Sequence, residues 1–145
     1  MATWLFKEEP THYNFDQLVR DGRTTWSGVK NALAQKHLRS VRKGDRVLYY
    51  HTGDEKAIVA TATAAGDACP DPEDDTGKAY VVEIVPGKRL DRPVTLAEIK
   101  AAPLFADFAL VRMSRLSVMP VSDAHLKEIE KRGRSAATVA ARSAR

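Results

Sequence analysis

Alternation of apolar and polar residues predicts five β-strands. In the first, Trp4 and Phe6 share one face, as a period of two requires. The second and third are joined by a short polar loop and predict a hairpin. The second strand has apolar or aromatic side chains on both faces, which predicts burial on two sides. The predicted strands are residues 3–7, 45–51, 57–64, 80–85 and 109–118, and a Pro-Gly turn ends the fourth.

Four short helices are predicted between and after these strands. Two of them begin with the spacing of a capping box, in which a Glu or Gln follows the capping residue by three positions. Glycines mark where three of the helices stop. The predicted helices run from Asn14 to Gly22, over 29–41, from Thr95 to Ala101, and from Ser122 or Asp123 to about Gly133.

The order of these elements indicates the fold class. Strands and helices follow no strand–helix–strand rhythm, so a parallel α/β sheet is not expected. The pattern predicts an α+β protein, with a curved mixed sheet or small barrel of about five or six strands and short helices packed around it. Residues 1–134 are expected to form one domain. Residues 135–145 are rich in Ala, Ser and Arg and are predicted to be a disordered basic tail.

Composition restricts the compartment and the partners. The chain has 145 residues and a single cysteine, Cys69, so it forms no internal disulfide and no cysteine-based zinc site. Its longest apolar stretch, 57–65, is interrupted by threonines and is too short to span a membrane. No secretory signal precedes the first strand, and we expect a cytoplasmic protein. The net charge of +4 favours a polyanionic partner only weakly.

The titratable residues do not specify a reaction. The four histidines fall in four different predicted elements, without the spacing of metal ligands. Glu8 and Glu9 are adjacent on a strand, so they point to opposite faces and cannot act as a paired acid and base. Phosphate-binding and nucleophile-elbow motifs are also missing. We therefore expect neither an enzyme nor a bound metal or cofactor.

One short segment has the residue types that hold an extruded base. Such a base needs a flat ring for stacking, polar groups for its edge, and cations for the flanking phosphates. Trp26 stands where a loop enters a helix and is free to stack, while Ser27 can cap that helix. Gly28 allows close approach of a ligand, and Asn31 follows about one turn into the helix. In the simpler interpretation, Trp26 belongs to the core and Asn31 is merely solvated.

Two further segments offer aromatic and basic side chains. The run 49–51 places three aromatic rings at a strand end, where they can line a pocket or belong to the core. In the last predicted strand, Arg115 and Ser117 share a face, so the guanidinium can bind a phosphate or pair with an acid such as Glu83. Lys7 and Lys30 add positive charge, although such charges often lie on a solvated face.

Five sequence blocks in order resemble the motifs of EVE domains. The opening residues 4–10 (WLFKEEP) resemble W-L-x-K-x-E-P, and residues 26–31 (WSGVKN) with Ala34 resemble W-x-G-V-[RK]-N-x-x-A. Residues 50–52 (YHT) and 115–120 (RLSVMP) resemble Y-H-[ST] and R-L-S-V-x-P. Residues 68–71 (ACPD) are a variant of A-Y-P-D, in which Cys69 replaces the tyrosine. The loop 72–78 is shorter than in many relatives, and we expect the wall of the pocket that it forms to differ from theirs.

The resemblance implies a PUA-like fold, related to YTH domains, and a nucleic-acid-binding module. It implies that one flipped and modified base, a cytosine or adenine of DNA or RNA, enters an aromatic pocket. We expect the protein to be a monomer. The alternatives are a general RNA-binding module in RNA processing, and a small-metabolite binder or enzyme that uses the same pocket. The residues assigned to the base pocket are Trp26, Ser27, Gly28, Val29, Asn31, Tyr50, His51 and Ser117, and those assigned to phosphate are Lys7, Lys30 and Arg115.

Overall fold

A single mixed sheet of seven strands organises the protein. The computed structural model describes residues 1–134, and the predicted tail 135–145 lies outside them. The strands are β1 Thr3–Glu8, β2 Thr24–Trp26, β3 Arg46–His51, β4 Ala57–Ala64, β5 Cys69–Pro70, β6 Tyr80–Thr95 and β7 Val118–Val121. The sheet order is β2-β6-β4-β3-β1-β7, with the short β5 paired to β6. Only β1 and β3 run parallel among the strands of residues 1–134.

Six α-helices surround the sheet within the described residues. The predicted capping boxes of Asn14 and Thr95 are confirmed, since each side chain accepts the backbone N–H of the third helical residue, whose own side chain accepts the backbone N–H of the capping residue. Ser122 caps the last helix, also as predicted. The helices are α1 Pro10–Tyr13, α2 Phe15–Asp21, α3 Ala32–Arg39, α4 Leu96–Ala101, α5 Ala109–Arg112 and α6 Asp123–Arg132, with a 3₁₀ turn at Pro103–Phe105.

The parallel pair β1–β3 lies at the centre of the core. Residues 47–51 are all buried, which confirms the predicted burial of this strand on two sides. Alternation divides the pair into two faces. One face holds Phe6 and Tyr49, which are register partners and both contact Trp26. The opposite face holds Lys7 and Tyr50, so neighbouring residues of one strand serve different surroundings.

Two predictions about the later strands are wrong. Residues 109–118 are not a strand, because Phe105 and Phe108 are buried three positions apart and the amide of Val111 bonds back to the Phe108 carbonyl, forming α5. The strand begins only at Val118. In β6 the chain does not turn at Pro-Gly but continues to Thr95. Gly87 makes this possible, since a Cβ there would lie 2.5 Å from the Thr61 hydroxyl oxygen.

The architecture confirms the expected α+β class. A curved mixed sheet carries short helices around it, as the order of elements predicts. The sheet has seven strands among the described residues, one or two more than expected, because β2 and β5 are only three and two residues long. Strands of that length show no detectable alternation.

Asp45 connects the chain start to the sheet and generates a test of stability. Its carboxylate accepts the Trp4 indole N–H at 3.0 Å and the backbone N–H groups of Ala2 at 3.1 Å and Arg42 at 2.9 Å. Burial acts to raise the pKa of Asp45, but these hydrogen bonds outweigh it and the pKa lies below its ordinary value.

We predict that Asp45→Asn lowers the free energy of unfolding by about 2–3 kcal/mol, because an amide offers one acceptor oxygen to three donors, one of them the buried Trp4 indole N–H. The folded-state pKa is depressed, so the carboxylate's contribution is complete above about pH 4 and is lost as the pH falls through the folded pKa. Urea denaturation between about pH 3 and 7 measures both effects. Equal stability of the variant and the wild type at neutral pH would contradict this role.

Candidate nucleic-acid interface

Asn31 is the N-cap of α3, and this changes the expected geometry. The helix begins at Ala32, not at residue 29, and the Asn31 side chain accepts the Ala34 amide at 3.0 Å. The prediction that Ser27 caps this helix is therefore wrong, as is the placement of Asn31 one turn inside it. A backbone N–H can only donate, so the atom facing Ala34 is Oδ1. The Nδ2 group of Asn31 is left with no protein partner within residues 1–134.

The loop between Trp26 and Asn31 is exposed but held at its centre. Ser27, Gly28 and Lys30 are exposed, and Gly28 has a φ of 74°, a conformation that favours glycine. Gln35, which is buried, donates to the Val29 carbonyl at 2.6 Å and accepts the Tyr80 amide at 3.0 Å. One side chain thus connects the loop to α3 and β6. Sequence reasoning missed Gln35, whose only signal was a polar residue beside the apolar stripe of a helix.

A cavity of about 340 Å³ opens beside the start of α3. It brings together two of the predicted residues, Asn31 and Arg115, although they are far apart in sequence. Arg112 and Arg115 form no ion pair with other residues in the described part of the chain, and the exposed Lys30 forms none there either. The wall is formed by Asn31, Leu33, Arg112, Met113, Ser114, Arg115 and Leu116. The cavity therefore combines an amide, apolar side chains and unpaired cations.

Lys7 contacts Ser114, one of the residues that line this cavity. Its ammonium donates to the Ser114 carbonyl at 2.9 Å, and it lies 5.7 Å from the centre of the Tyr50 ring. Its backbone N–H donates to the Ser117 carbonyl at 2.9 Å. Burial lowers the pKa of Lys7 and raises that of Tyr50. Lys7 and Tyr50 thus lie on one face of the sheet, and Ser117 meets Lys7 through its backbone carbonyl.

The predicted side-by-side arrangement of Arg115 and Ser117 on a strand is wrong. Residues 113–117 form a turn, in which the Leu116 amide donates to the Met113 carbonyl at 3.0 Å. The alternative partner considered for Arg115 is also not used, because Glu83 pairs with Arg23. Arg115 reaches the cavity from this turn and not from a sheet face.

Trp26 lies in the core, as the simpler interpretation held. Its ring is 5.2 Å from that of Phe6 and 5.5 Å from that of Tyr49, and it is 6% exposed. The expectation that its place before a helix leaves it outside the core is wrong, because Trp26 ends β2 and pairs with Val82 of β6. It does not line the cavity beside Asn31. Its role in base stacking remains a prediction.

His51 is buried, and both of its ring nitrogens have protein partners. Nε2 accepts the Phe15 amide at 3.2 Å, which places the ring proton on Nδ1, where it donates to Glu55 at 2.7 Å. His51 shares the face of Tyr49 and not that of Tyr50. The structure thus places Trp26 and His51 on one side of the sheet, and Lys7 and Tyr50 on the other.

Metal-binding clusters and membrane-spanning helices are both absent from residues 1–134. No three His, Cys, Asp or Glu side chains there are grouped so that they could hold a metal ion. No helix in that range has both the length and the apolar character needed to cross a membrane.

Comparison with known proteins places these features in a family. Residues 2–132 match the model of the EVE domain. An NMR structure of a Rhodopseudomonas palustris protein is 44% identical, covers 92% of this chain and 93% of its own, and superposes with a TM-score of 0.87. A crystal structure from Agrobacterium tumefaciens is 28% identical, covers 92% of this chain and 93% of its own, and has a TM-score of 0.86.

Human thymocyte nuclear protein 1 is a more distant relative. It is 24% identical over 82% of this chain and 68% of its own length. A crystal structure of the human protein in complex with DNA containing 5-methylcytosine covers 93% of this chain and 99% of its own, at 22% identity and a TM-score of 0.84. This likeness confirms the predicted PUA-like fold.

The hydrogen bonds of Gln35 generate a test of the loop. We predict that Gln35→Ala leaves the Val29 carbonyl and the Tyr80 amide unpaired, and lowers the free energy of unfolding by about 1–3 kcal/mol. Amide hydrogen exchange should accelerate most at Tyr80 and in residues 27–31. Gln35→Glu keeps the acceptor for the Tyr80 amide but loses the donor for the Val29 carbonyl. In this variant, amide exchange should accelerate mainly in residues 27–31. Lys36→Ala, an exposed change on the same helix, is the control, and an equal response to it would contradict the role of Gln35.

Proposed function

Because the chain belongs to the EVE domain family, we propose that it is a DNA-binding module that accommodates one flipped, modified cytosine in the cavity beside Asn31. The observation that carries the proposal is the cavity itself, where a free amide group, apolar side chains and unpaired cations meet. The complex of the human relative with DNA containing 5-methylcytosine supports the choice of base.

The amide of Asn31 suits the edge of a cytosine. Its Oδ1 is held by the Ala34 amide, so Nδ2 is the group that faces a ligand, and it can only donate. The O2 and N3 atoms of an extruded cytosine are acceptors that a duplex otherwise hides. A helix cap also has a fixed position, so this donor is placed before the base arrives.

Apolar side chains, and not rings, form the rest of the proposed contact. Leu33, Met113 and Leu116 line the cavity, and Met113 is 44% exposed, unusual for so large an apolar residue. A methyl group at position 5 of cytosine would bury against them, at about 0.8 kcal/mol for one carbon. The flexible thioether of Met113 can adapt to such a group.

The unpaired cations are proposed to hold the flanking phosphates. Arg112 and Arg115 lie at the cavity, and Lys30 is exposed one residue before Asn31. A guanidinium binds a phosphate bidentately, without reading the base. Lys7 is proposed to have a second role, since one of its three N–H groups holds the Ser114 carbonyl and the others remain for a phosphate.

The substitution Asn31→Asp tests base recognition without removing the helix cap. Aspartate still accepts the Ala34 amide but presents no N–H to the base. We predict that wild type prefers a duplex with one 5-methylcytosine by about fourfold over plain cytosine, the ~0.8 kcal/mol of one buried methyl group. Asn31→Asp should abolish this preference, because the base is then no longer held where its methyl group meets the apolar wall. Fluorescence competition with labelled and unlabelled duplexes at fixed salt measures both.

Two variants separate the base contact from other effects. Asn14→Asp makes the same change at the cap of α2, outside the cavity, and should leave the preference intact. Arg115→Gln should weaken binding to both duplexes alike, because a phosphate contact does not distinguish bases. Equal binding of all oligonucleotides by wild type would overturn modified-base recognition and would favour a general RNA- or DNA-binding module. No salt-sensitive binding would favour a small metabolite.

The stacking role of Trp26 has its own test. Its ring is packed against Phe6 and Tyr49 and is 6% exposed, so a base can stack on it only if the surrounding residues move aside. In a Trp4→Phe variant, Trp26 is the only remaining tryptophan. If the base stacks on Trp26, methylated DNA should quench its fluorescence, and plain DNA at equal occupancy should not. Unchanged emission at saturation would assign Trp26 to the core alone.

A further inference from the structure

A second groove lies at the opposite end of β3 from the cavity. Its volume is about 450 Å³, and it is walled by the start of β3, the end of β4, the middle of β6 and the end of α6. Arg46 lines it, whereas Tyr50, which contacts Lys7, lies four residues further along β3, about 13 Å at 3.3 Å per residue. The groove shares no lining residue with the cavity beside Asn31.

Positive charge dominates this groove. Its lining includes four cations, Arg46, Lys88, Arg89 and Arg134, and two carboxylates, Asp91 and Glu130. Ion pairs fix two of the cations in place: Arg46 with Glu130 at 2.7 Å, and Arg89 with Asp16 at 2.7 Å. Lys88 forms no ion pair within residues 1–134, and its backbone is held by the Thr61 hydroxyl at 3.2 Å.

Arg134, which lines the same groove, carries an unsatisfied hydrogen-bond donor. Its Nε is buried and has no hydrogen-bond partner, the one such side-chain atom in the described part of the chain. A buried unpaired donor costs about 1–3 kcal/mol, and more on a charged group, so such an atom calls for a partner. An anion between Arg134 and Lys88 would supply both an acceptor and a charge opposite to theirs.

The C-terminal end of α6 borders the groove, but it does not repel an anion as strongly as an uncapped helix end would. The last carbonyls of a helix carry partial negative charge. Here Arg92 covers them, because its Nε donates to the Arg132 carbonyl at 2.6 Å and its backbone N–H donates to the Gly133 carbonyl at 3.2 Å. The groove therefore keeps its positive balance up to the helix.

We infer that this groove is a phosphate-binding site, with Lys88 and Arg134 as its free cations and the backbone phosphates of bound nucleic acid as its ligand. Guanidinium and ammonium groups over an open groove suit a phosphodiester, which carries its charge along a chain and needs no enclosed pocket. The inference goes beyond base recognition and does not depend on it, because the groove and the cavity are separate.

The test compares the salt dependence of DNA binding in two full-length double variants. Lys88→Gln with Arg134→Gln removes the free cations of the groove, and Lys127→Gln with Lys131→Gln removes two cations of α6 that do not line it. The salt dependence is measured with a duplex at roughly 50–200 mM salt. In the variant that lacks the groove cations, the groove variant, the slope of log K against log salt should become shallower by about 0.9 for each phosphate that the protein no longer neutralises. The slope of the other variant should not change. The ratio of affinities for methylated and plain DNA should not change.

A titration of the wild type with pyrophosphate separates the sources of phosphate and avoids any folding defect of a variant. Amide shifts of Thr61, Thr63 and residues 88–91 should move, and the groove variant should not respond. Such shifts with an unchanged DNA slope would support the site but assign it to a free phosphorylated ligand. If the amide signals do not shift and the slope does not change, the phosphate site is overturned. If the wild type shows no preference for methylated DNA but the groove variant still changes the salt slope, the proposed base recognition fails and the groove stands.

Discussion

Burial of the β1–β3 pair on both faces is the constraint on which the rest of the molecule depends. Since successive side chains of a strand point to opposite sides, every feature of these strands is assigned to one of two environments. Phe6 and Tyr49 join Trp26 in an aromatic cluster, and Tyr49, whose pKa is raised by burial, donates its hydroxyl to the Tyr13 carbonyl. Lys7 and Tyr50, one residue away, face the turn that forms the cavity wall.

The side chains that shape the cavity also stabilise the fold. Asn31 caps a helix with one end of its amide and presents the other, and Lys7 fixes the turn at Ser114 while it keeps free donors. Gln35 holds the intervening loop from behind. Such double use makes the site rigid before a ligand binds, which limits the entropy that binding costs. It also means that simple deletion of these side chains mixes stability with recognition.

Charge is distributed over two separate places and not along one stripe. The cations at the cavity are unpaired, whereas the groove at the other end of β3 combines ion-paired arginines with free cations. Net charge alone cannot show this arrangement, because the acidic loop near residues 71–75 reduces the total without lining either place. A modest excess of +4 is therefore compatible with two concentrated positive surfaces.

Features that depend on neighbours along the chain could be predicted from the sequence. Period-two alternation and capping pairs such as Asn14 with Gln17 predicted most strands and helix starts, and five ordered motifs predicted the family. The remaining features required the folded structure, because burial and pairing depend on contacts between distant residues. Trp26 entered the core through its pairing with β6, residues 109–112 became helical through the packing of Phe105 and Phe108, and Asn31 met Arg115 across a cavity. No local spacing contains that information.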